Sequence, residues 1–249
     1  MIGWLRARSP LRPVWRIWSK WLIAPRCLFC NQAADLGDLD LCSDCLISLP
    51  WAESFNGESI AVFRAGIKSL SIQVPLWYAP PIDAALRDLK FHGDLAPARV
   101  FGAVLAARAA IAGDLPDLIV PVPLHRGRLH ERGYNQAAQL ARSTADWLGR
   151  PCAPRLLERR RATVPQTSLD APARRRNLVG AFVLGADAGR WLRDRPALAF
   201  RRLALVDDVL TTGATLAAAA EALGSLGSLS IWAVARPMSS SFTSPVTPG

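Results

Sequence analysis

From Val74 onward, the apolar positions of the chain switch back and forth between two spacings. Val74–Tyr78 reads as a strand. Ile82, Ala85, Leu86 and Leu89 follow at i, i+3, i+4 and i+7, so they share one helical face, and the helix ends near Gly93. Ala98, Phe101, Leu105 and Ala109 mark a second helix. Leu118–Val122 is a short apolar run closed by Pro121 and Pro123, which predicts a strand, and Gln136–Leu148 is again helical in pattern. Leu203–Val206 predicts a further strand, Leu216–Leu223 a helix and Leu229–Ala235 a last strand. Strands alternating with helices predict an α/β fold, a mainly parallel sheet flanked by helices on both faces. Ligands of such sheets bind beyond the carboxyl ends of the strands.

Chemistry is concentrated at one of those ends. The strand Leu203–Val206 runs into Asp207 and Asp208, then into Thr211-Thr212-Gly213-Ala214-Thr215, then into the helix. A loop at a helix N-terminus presents backbone N–H groups that, with the helix dipole, attract a phosphate dianion. Gly213 lets the backbone approach without a Cβ in the way. Thr211, Thr212 and Thr215 add hydroxyls, and the two carboxylates can accept hydrogen bonds from sugar hydroxyls. A plain helix-capping turn is the rival reading. It does not account for two acids, three threonines and a glycine in nine residues. After the strand ending at Val122 comes a basic loop in which Arg126, Arg128 and Arg132 can offer bidentate forks to a diphosphate. Asn135 can cap the helix that follows. Taken alone, this loop fits a solvated basic turn equally well.

Cysteine spacing adds a second signal. Cys27-x2-Cys30 and Cys42-x2-Cys45 are two knuckles separated by eleven residues. Each turns two thiolates toward one point, and two knuckles complete a tetrahedral S4 site that suits Zn2+. Four thiolates leave no open position, so the metal is expected to be structural. The fifth cysteine, Cys152, stands apart.

These signals divide the chain into five parts. Met1–Ala24 is basic and rich in tryptophan, Pro25–Pro50 is the cysteine module, and Trp51–Gln73 is a bridge. Val74–Met238 is the α/β domain, and Ser239–Gly249 is a Ser/Thr/Pro-rich tail of disordered composition. Trp15, Trp18 and Trp21 fall on one helical face. They can lie on an anionic membrane or single-stranded nucleic acid, or pack on the protein body. Arg6, Arg8, Arg12, Arg16, Lys20 and Arg26 break up any secretory h-region, and no apolar run is long enough for a membrane span. A cytoplasmic location is therefore expected, and a metal-type use of cysteine agrees with it. With 249 residues, 51% of them hydrophobic, the chain can bury a sizeable core. A net charge of +10 favours acidic partners without choosing among nucleic acid, phosphorylated metabolites and membranes. Arg155–Arg176 carries seven arginines against Glu158 and Asp170, which makes Arg174, Arg175 and Arg176 candidates for contact with a nucleic-acid backbone.

The Val206-Asp207-Asp208 to Thr215 stretch resembles the phosphoribosyl diphosphate (PRPP) signature of type I phosphoribosyltransferases. The wider pattern resembles the ComF/GntX family. It comprises the double CxxC, Asp88-Leu89-Lys90-Phe91-x-Gly93, Pro121-Val122-Pro123 with Arg132-Gly133-Tyr134-Asn135-Gln136, Arg161-x-Thr163-x-x-Gln166-x-x-Leu169, Arg174-Arg175-Arg176-Asn177-x-x-Gly180-Ala181-Phe182, and the closing Ala235-Arg236. The resemblance covers roughly Pro25 to Arg236; the Pro80-Pro81 pair departs from it. It implies a type I phosphoribosyltransferase-like fold with a small N-terminal zinc ribbon, and a link to natural transformation or to the use of external DNA. Asp207 and Asp208 would hold the ribose hydroxyls and form the catalytic centre. Thr211, Thr212, Gly213, Ala214 and Thr215 would bind the 5′-phosphate, and Arg126, Arg128 and Arg132 would meet the diphosphate together with Mg2+. Lys90 is a family lysine without an evident role. The implied partners are PRPP, single-stranded DNA, and competence or DNA-processing proteins. A non-catalytic sensor or DNA-binding accessory, and a nucleobase-salvage enzyme, are the other readings. No pattern identifies a nucleobase pocket, so the acceptor stays open.

Overall fold

The computed structural model describes residues 1–7, 25–36, 38–53, 70–161, 178, 180–186, 188–189, 202–224 and 226–238. Arg174, Arg175 and Arg176 lie outside them, as do Trp15, Trp18, Trp21 and the tail Ser239–Gly249.

The sheet is built from β1 (Leu70–Gln73), β2 (Leu76–Trp77), β3 (Leu118–Pro121), β6 (Arg202–Val209) and β7 (Ser228–Arg236). β4 (Leu157–Arg159) and β5 (Phe182–Leu184) form a separate antiparallel pair. In the sheet the order is β1-β7-β6-β3, with β2 also on β7, and every pairing is parallel. Of the strand predicted over Val74–Tyr78 only Leu76–Trp77 pairs as β2, and β1 lies before it, in the stretch read as a bridge. Leu70 faces Leu229 and Leu76 faces Ala235, which is the same register, so β1 and β2 are one strand interrupted at Val74-Pro75. Proline has no N–H to give the ladder, and the pairing lapses there.

The helices are α1 (Ile2–Ala7), α2 (Ser43–Ile47), α3 (Ile82–Arg87), α4 (Ala96–Ala112), α5 (Arg126–Arg132), α6 (Gln136–Leu148) and α7 (Ala214–Leu223). A π-helical turn, Asp88–His92, continues α3 and ends at Gly93. The Pro80–Pro81 peptide immediately before α3 is cis. Buried strands alternate their side chains between two cores. Ile119, Ala204, Val206, Trp232 and Val234 meet α3, α4 and α6 on one face. Leu118, Val120, Leu203, Leu205, Ile231 and Ala233 meet α7 and the β4–β5 pair on the other. A mainly parallel sheet flanked by helices is the architecture expected from the alternating pattern.

α4 is apolar nearly all round because it is covered nearly all round. Besides the sheet and α6 it meets the cysteine module, whose Leu36, Leu39, Leu41, Leu46 and Leu49 join the same core. Phe29 packs on Phe101 with ring centroids 6.5 Å apart, and Arg99 pairs with Asp40. α1 closes over the same region. Leu5 is fully buried and Trp4 stacks on Trp147 at 6.0 Å, so this tryptophan packs on the protein body.

α4 and α6 approach most closely at Gly102. A Cβ there would stand 2.5 Å from Ser143 Cβ and 3.0 Å from the Thr144 backbone nitrogen. Gly102→Ala is therefore expected to push the helices apart and lower stability by about 1–3 kcal/mol. Thermal melting should show a drop of about 2–4 °C per kcal/mol, partly recovered by Ser143→Gly in the same chain.

Candidate ligand site and metal centre

β6 is buried along most of its length and ends in two acids. Alternation along a strand directs Asp208 to the side of Ala204 and Val206, which is the side of α3. There it meets a cation. Lys90 follows Leu86 by one turn at the edge of the buried face of α3, and its Nζ is 2.7 Å from Asp208 Oδ2. Burial alone would lower the Lys90 ammonium, but the charge and hydrogen bond of Asp208, with Asp207 behind it, outweigh burial and raise it. Asp208 Oδ1 accepts the Val209 N–H at 2.8 Å, and Asp207 Oδ1 accepts the Asp208 N–H at 2.9 Å. Among the described residues no cation pairs with Asp207 in this way. Burial, and then the neighbouring Asp208 charge, push its carboxyl up to about 8.

A cavity of about 390 Å³ opens over these acids. Five stretches of chain line it: Lys90 and Phe91; Val122, Pro123 and Leu124; Arg128, Arg132 and Gln136; Arg159; and, between β6 and α7, Asp207, Asp208, Val209, Thr211, Gly213, Thr215 and Leu216. Gly213, at φ +73°, turns the chain into α7, and Gly213, Thr215 and Leu216 face the cavity. The N-terminus of α7 is thereby brought to the same space as the acids. Across it, His125 Nδ1 caps α5 by accepting the Gly127 N–H at 3.2 Å. Asn135 caps α6 through the Ala137 N–H and ties back to the Val122 carbonyl, each at 3.0 Å. Arg132 Nη1 donates to Gln136 Oε1 at 2.6 Å, and the Tyr134 hydroxyl donates to the Leu89 carbonyl. The basic arm is thus fastened to the π-helical turn that carries Lys90.

No family model matches the sequence. Competence protein F of Haemophilus influenzae is 31% identical over 229 residues, 85% of this chain and 96% of that protein. The DNA utilization proteins YhgH of Salmonella typhimurium and of Escherichia coli K12 are 34% identical over 168 residues, 65% of this chain and 70% of theirs. The chain belongs to the ComF family.

Of the residues singled out in the sequence, Asp207, Asp208, Thr211, Gly213, Thr215, Arg128 and Arg132 gather around one cavity in this ComF-family chain. Thr212 and Ala214 are not in its lining; Thr212 Oγ1 accepts the Ala214 N–H at 3.5 Å and so braces the loop from within. Arg126 opens α5 and is not in the lining of the cavity. Two residues acquire a place that sequence reasoning did not assign. Lys90 becomes the counterion of Asp208. Arg159 enters the cavity because β4 runs beside His125 through an isolated bridge. Burial, and then the charge of Arg128, lower the Arg159 guanidinium below its usual range. The unequal charge in Arg155–Arg176 was the signal that could have pointed to Arg159.

At the other end of the ComF-family chain, the thiol sulfurs of Cys27, Cys30, Cys42 and Cys45 all lie within 4.8 Å of one another. Cys30 Sγ and Cys42 Sγ are 3.7 Å apart, close to the ~3.8 Å that a tetrahedron with metal–sulfur bonds of about 2.3 Å requires. Asn31, at φ 60°, closes the first knuckle by donating its N–H to the Cys27 carbonyl. Cys42 caps α2 by accepting the Cys45 N–H at 3.4 Å. Asp35 clamps Ser43 through its backbone N–H and its hydroxyl. Burial would raise the Cys27 thiol, but N–H groups of Cys30, Cys42 and Phe29 bring it down to about 7. Burial and the neighbouring thiols raise Cys45. These four cysteines can hold a metal ion. Among the described residues no helix is long and apolar enough to cross a membrane.

The raised Asp207 carboxyl sets a pH dependence. Its proton is retained in the fold above the pH at which an unfolded carboxyl, near 4, gives it up. Stability from this group is therefore fully present below about 4 and is lost as the pH rises through about 8. Asp207→Asn is expected to melt like the parent at pH 5 and several degrees higher at pH 8.5. Scanning calorimetry at the two pH values checks this, and an equal effect at both would contradict it.

Proposed function

We propose that this ComF-family protein binds PRPP with Mg2+ in the cavity over Asp207 and Asp208 and acts in the uptake or use of DNA. The observation that carries the ligand is the convergence of three kinds of group on one space. Two carboxylates suit ribose hydroxyls. A Thr/Gly loop at a helix N-terminus suits a phosphate. Arg128, Arg132 and Arg159 suit a diphosphate. The names of the relatives, a competence protein and DNA utilization proteins, support the role in DNA handling.

In this reading Asp207 and Asp208 orient the ribose, and the run Thr211–Thr215 holds the 5′-phosphate. Mg2+ bound with the diphosphate would supply neutralising charge there. The arginines add fixed positive charge where diphosphate would leave ribose C1. Displacement there needs positioning and charge more than covalent help from the protein. Lys90 pairs with Asp208 at 2.7 Å and holds its carboxyl in place. A ligand that brings its own cation has to share that carboxylate with Lys90, which makes Lys90 a positioning residue. The cysteine module supplies no open coordination position. A four-thiolate donor set favours Zn2+, whose role here is to hold the module's fold.

Titration calorimetry with PRPP and Mg2+ tests the site. Asp207→Asn with Asp208→Asn should weaken binding by about 1.5–3 kcal/mol per hydrogen bond to charge that is lost. At pH 7 wild-type binding should release a proton from Asp207, seen as a heat that varies with buffer, and Asp207→Asn should lack that component. Equal affinity in parent and double variant would reject the site. Metal analysis of the untagged protein should give close to one zinc per chain, unchanged by Cys152→Ser. A metal-free, folded protein with four alkylatable thiols would reject the zinc.

A further inference from the structure

The motif Asp88-Leu89-Lys90-Phe91-x-Gly93 is only half used by the site described so far. Leu89 is buried and Lys90 is paired with Asp208. Phe91 remains, and its position breaks the pattern of its own helix. Ile82, Ala85, Leu86 and Leu89 are the buried face. Nine residues after Ile82, Phe91 falls about 180° round an ideal helix, on the side that should be polar. It is 68% exposed. A solitary exposed phenylalanine is ordinary, but three further facts distinguish this one. Among the described residues it is the one aromatic side chain in the lining of the cavity. Its backbone sits in a π-helical turn anchored by the Tyr134 hydroxyl on the Leu89 carbonyl. The guanidinium carbon of Arg132 lies 5.3 Å from its ring centroid, and Arg132 is itself held by Gln136.

We infer that Phe91 is a stacking platform for a planar nucleobase at the mouth of this cavity. The inference rests on the phosphoribosyl reading of the cavity and names the class of its second ligand. A base attached to or approaching ribose C1 needs a flat apolar surface next to the groups that hold sugar and phosphate. Phe91 offers one, fixed in place by the turn that also carries Lys90. Arg132 adds a cation at the ring and stays within reach of phosphate. Stacking tolerates any base because every base has a π-face, so little discrimination among bases is expected. The base can come from a free nucleotide or from a single strand of DNA, and the two share this chemistry.

The test uses the full chain and two single-stranded probes of equal length, an oligothymidylate and its abasic counterpart, read by fluorescence anisotropy. Phe91→Ala and Phe91→Leu should each weaken oligothymidylate binding by about 5- to 100-fold, the range for one lost base–aromatic stack. Leucine keeps apolar bulk and loses the π-face, so its failure to rescue identifies stacking. Phe91→Trp should retain affinity and show added indole quenching when the strand binds. Abasic binding should be the same in all four proteins. Thymidine monophosphate as competitor separates the sources. Competition that is lost in Phe91→Ala assigns the platform to free nucleotides, and its absence assigns it to strands. Unchanged oligothymidylate affinity in Phe91→Ala overturns the inference. An equal loss on the abasic strand does too, as does a wild type that does not bind the oligothymidylate. PRPP titration of the wild type is read separately, so a failure there leaves the comparison of base-bearing and abasic probes intact.

Discussion

Two carboxylates on consecutive residues at the end of a buried strand cannot both be charged without a cation nearby, and the site is organised around that constraint. Lys90 answers it for Asp208 at 2.7 Å, while Asp207 holds a proton up to about pH 8. To bring Lys90 there, α3 must run on into its π-helical turn, and the turn must be fastened. Tyr134 does the fastening from the far side of the cavity. The basic arm is held to the sheet in turn by Asn135 on the Val122 carbonyl. This ion pair and the Tyr134 hydrogen bond thereby link β6, α3 and the α5–α6 arm, and the space they enclose has the two acids on one side and arginines on the other.

Much of this was legible from residue order. Buried parallel strands read as apolar runs, so β3 and β7 appear at nearly their observed bounds, whereas β6 runs on through both acids to Val209, three residues past the predicted end. The α6 boundaries are written in Asn135 and Gly149, one a cap and the other a left-handed stop. The knuckles and the acid–threonine loop are local chemistry, and local chemistry survives in sequence. What escaped depends on contacts between distant segments. Nothing in Leu70–Gln73 announces a strand until β7 lies beside it, and Pro75 hides the continuity with β2. The partner of Lys90 is 118 positions away in the chain. Arg159 reaches the cavity only through a bridge to His125. Arg126 looked equivalent to Arg128 and Arg132, yet those two share a helical face at i and i+4 and line the cavity, and Arg126 does not.

The cysteine module and the sheet communicate through α4. The module's leucines and Phe29 press on one side of this helix, and the strands and α6 on the others. A metal held by the four cysteines would therefore brace more than its own loops, because the helix it supports is the one that spaces α6, with Asn135 and Gln136 at its start.

Backbone pairing at the margins of the sheet has a consequence for assembly. Beside β2, Trp51 bridges Leu76 and the Ala52 N–H reaches the Pro75 carbonyl; beside β3, Ile119 exchanges hydrogen bonds with Pro151 and Ala153. At both places the outward N–H and C=O groups are already committed. An extended peptide from another chain cannot pair with those groups, which blunts edge-to-edge pairing beside β2 and at Ile119. Association at these points has to proceed through side chains and loops.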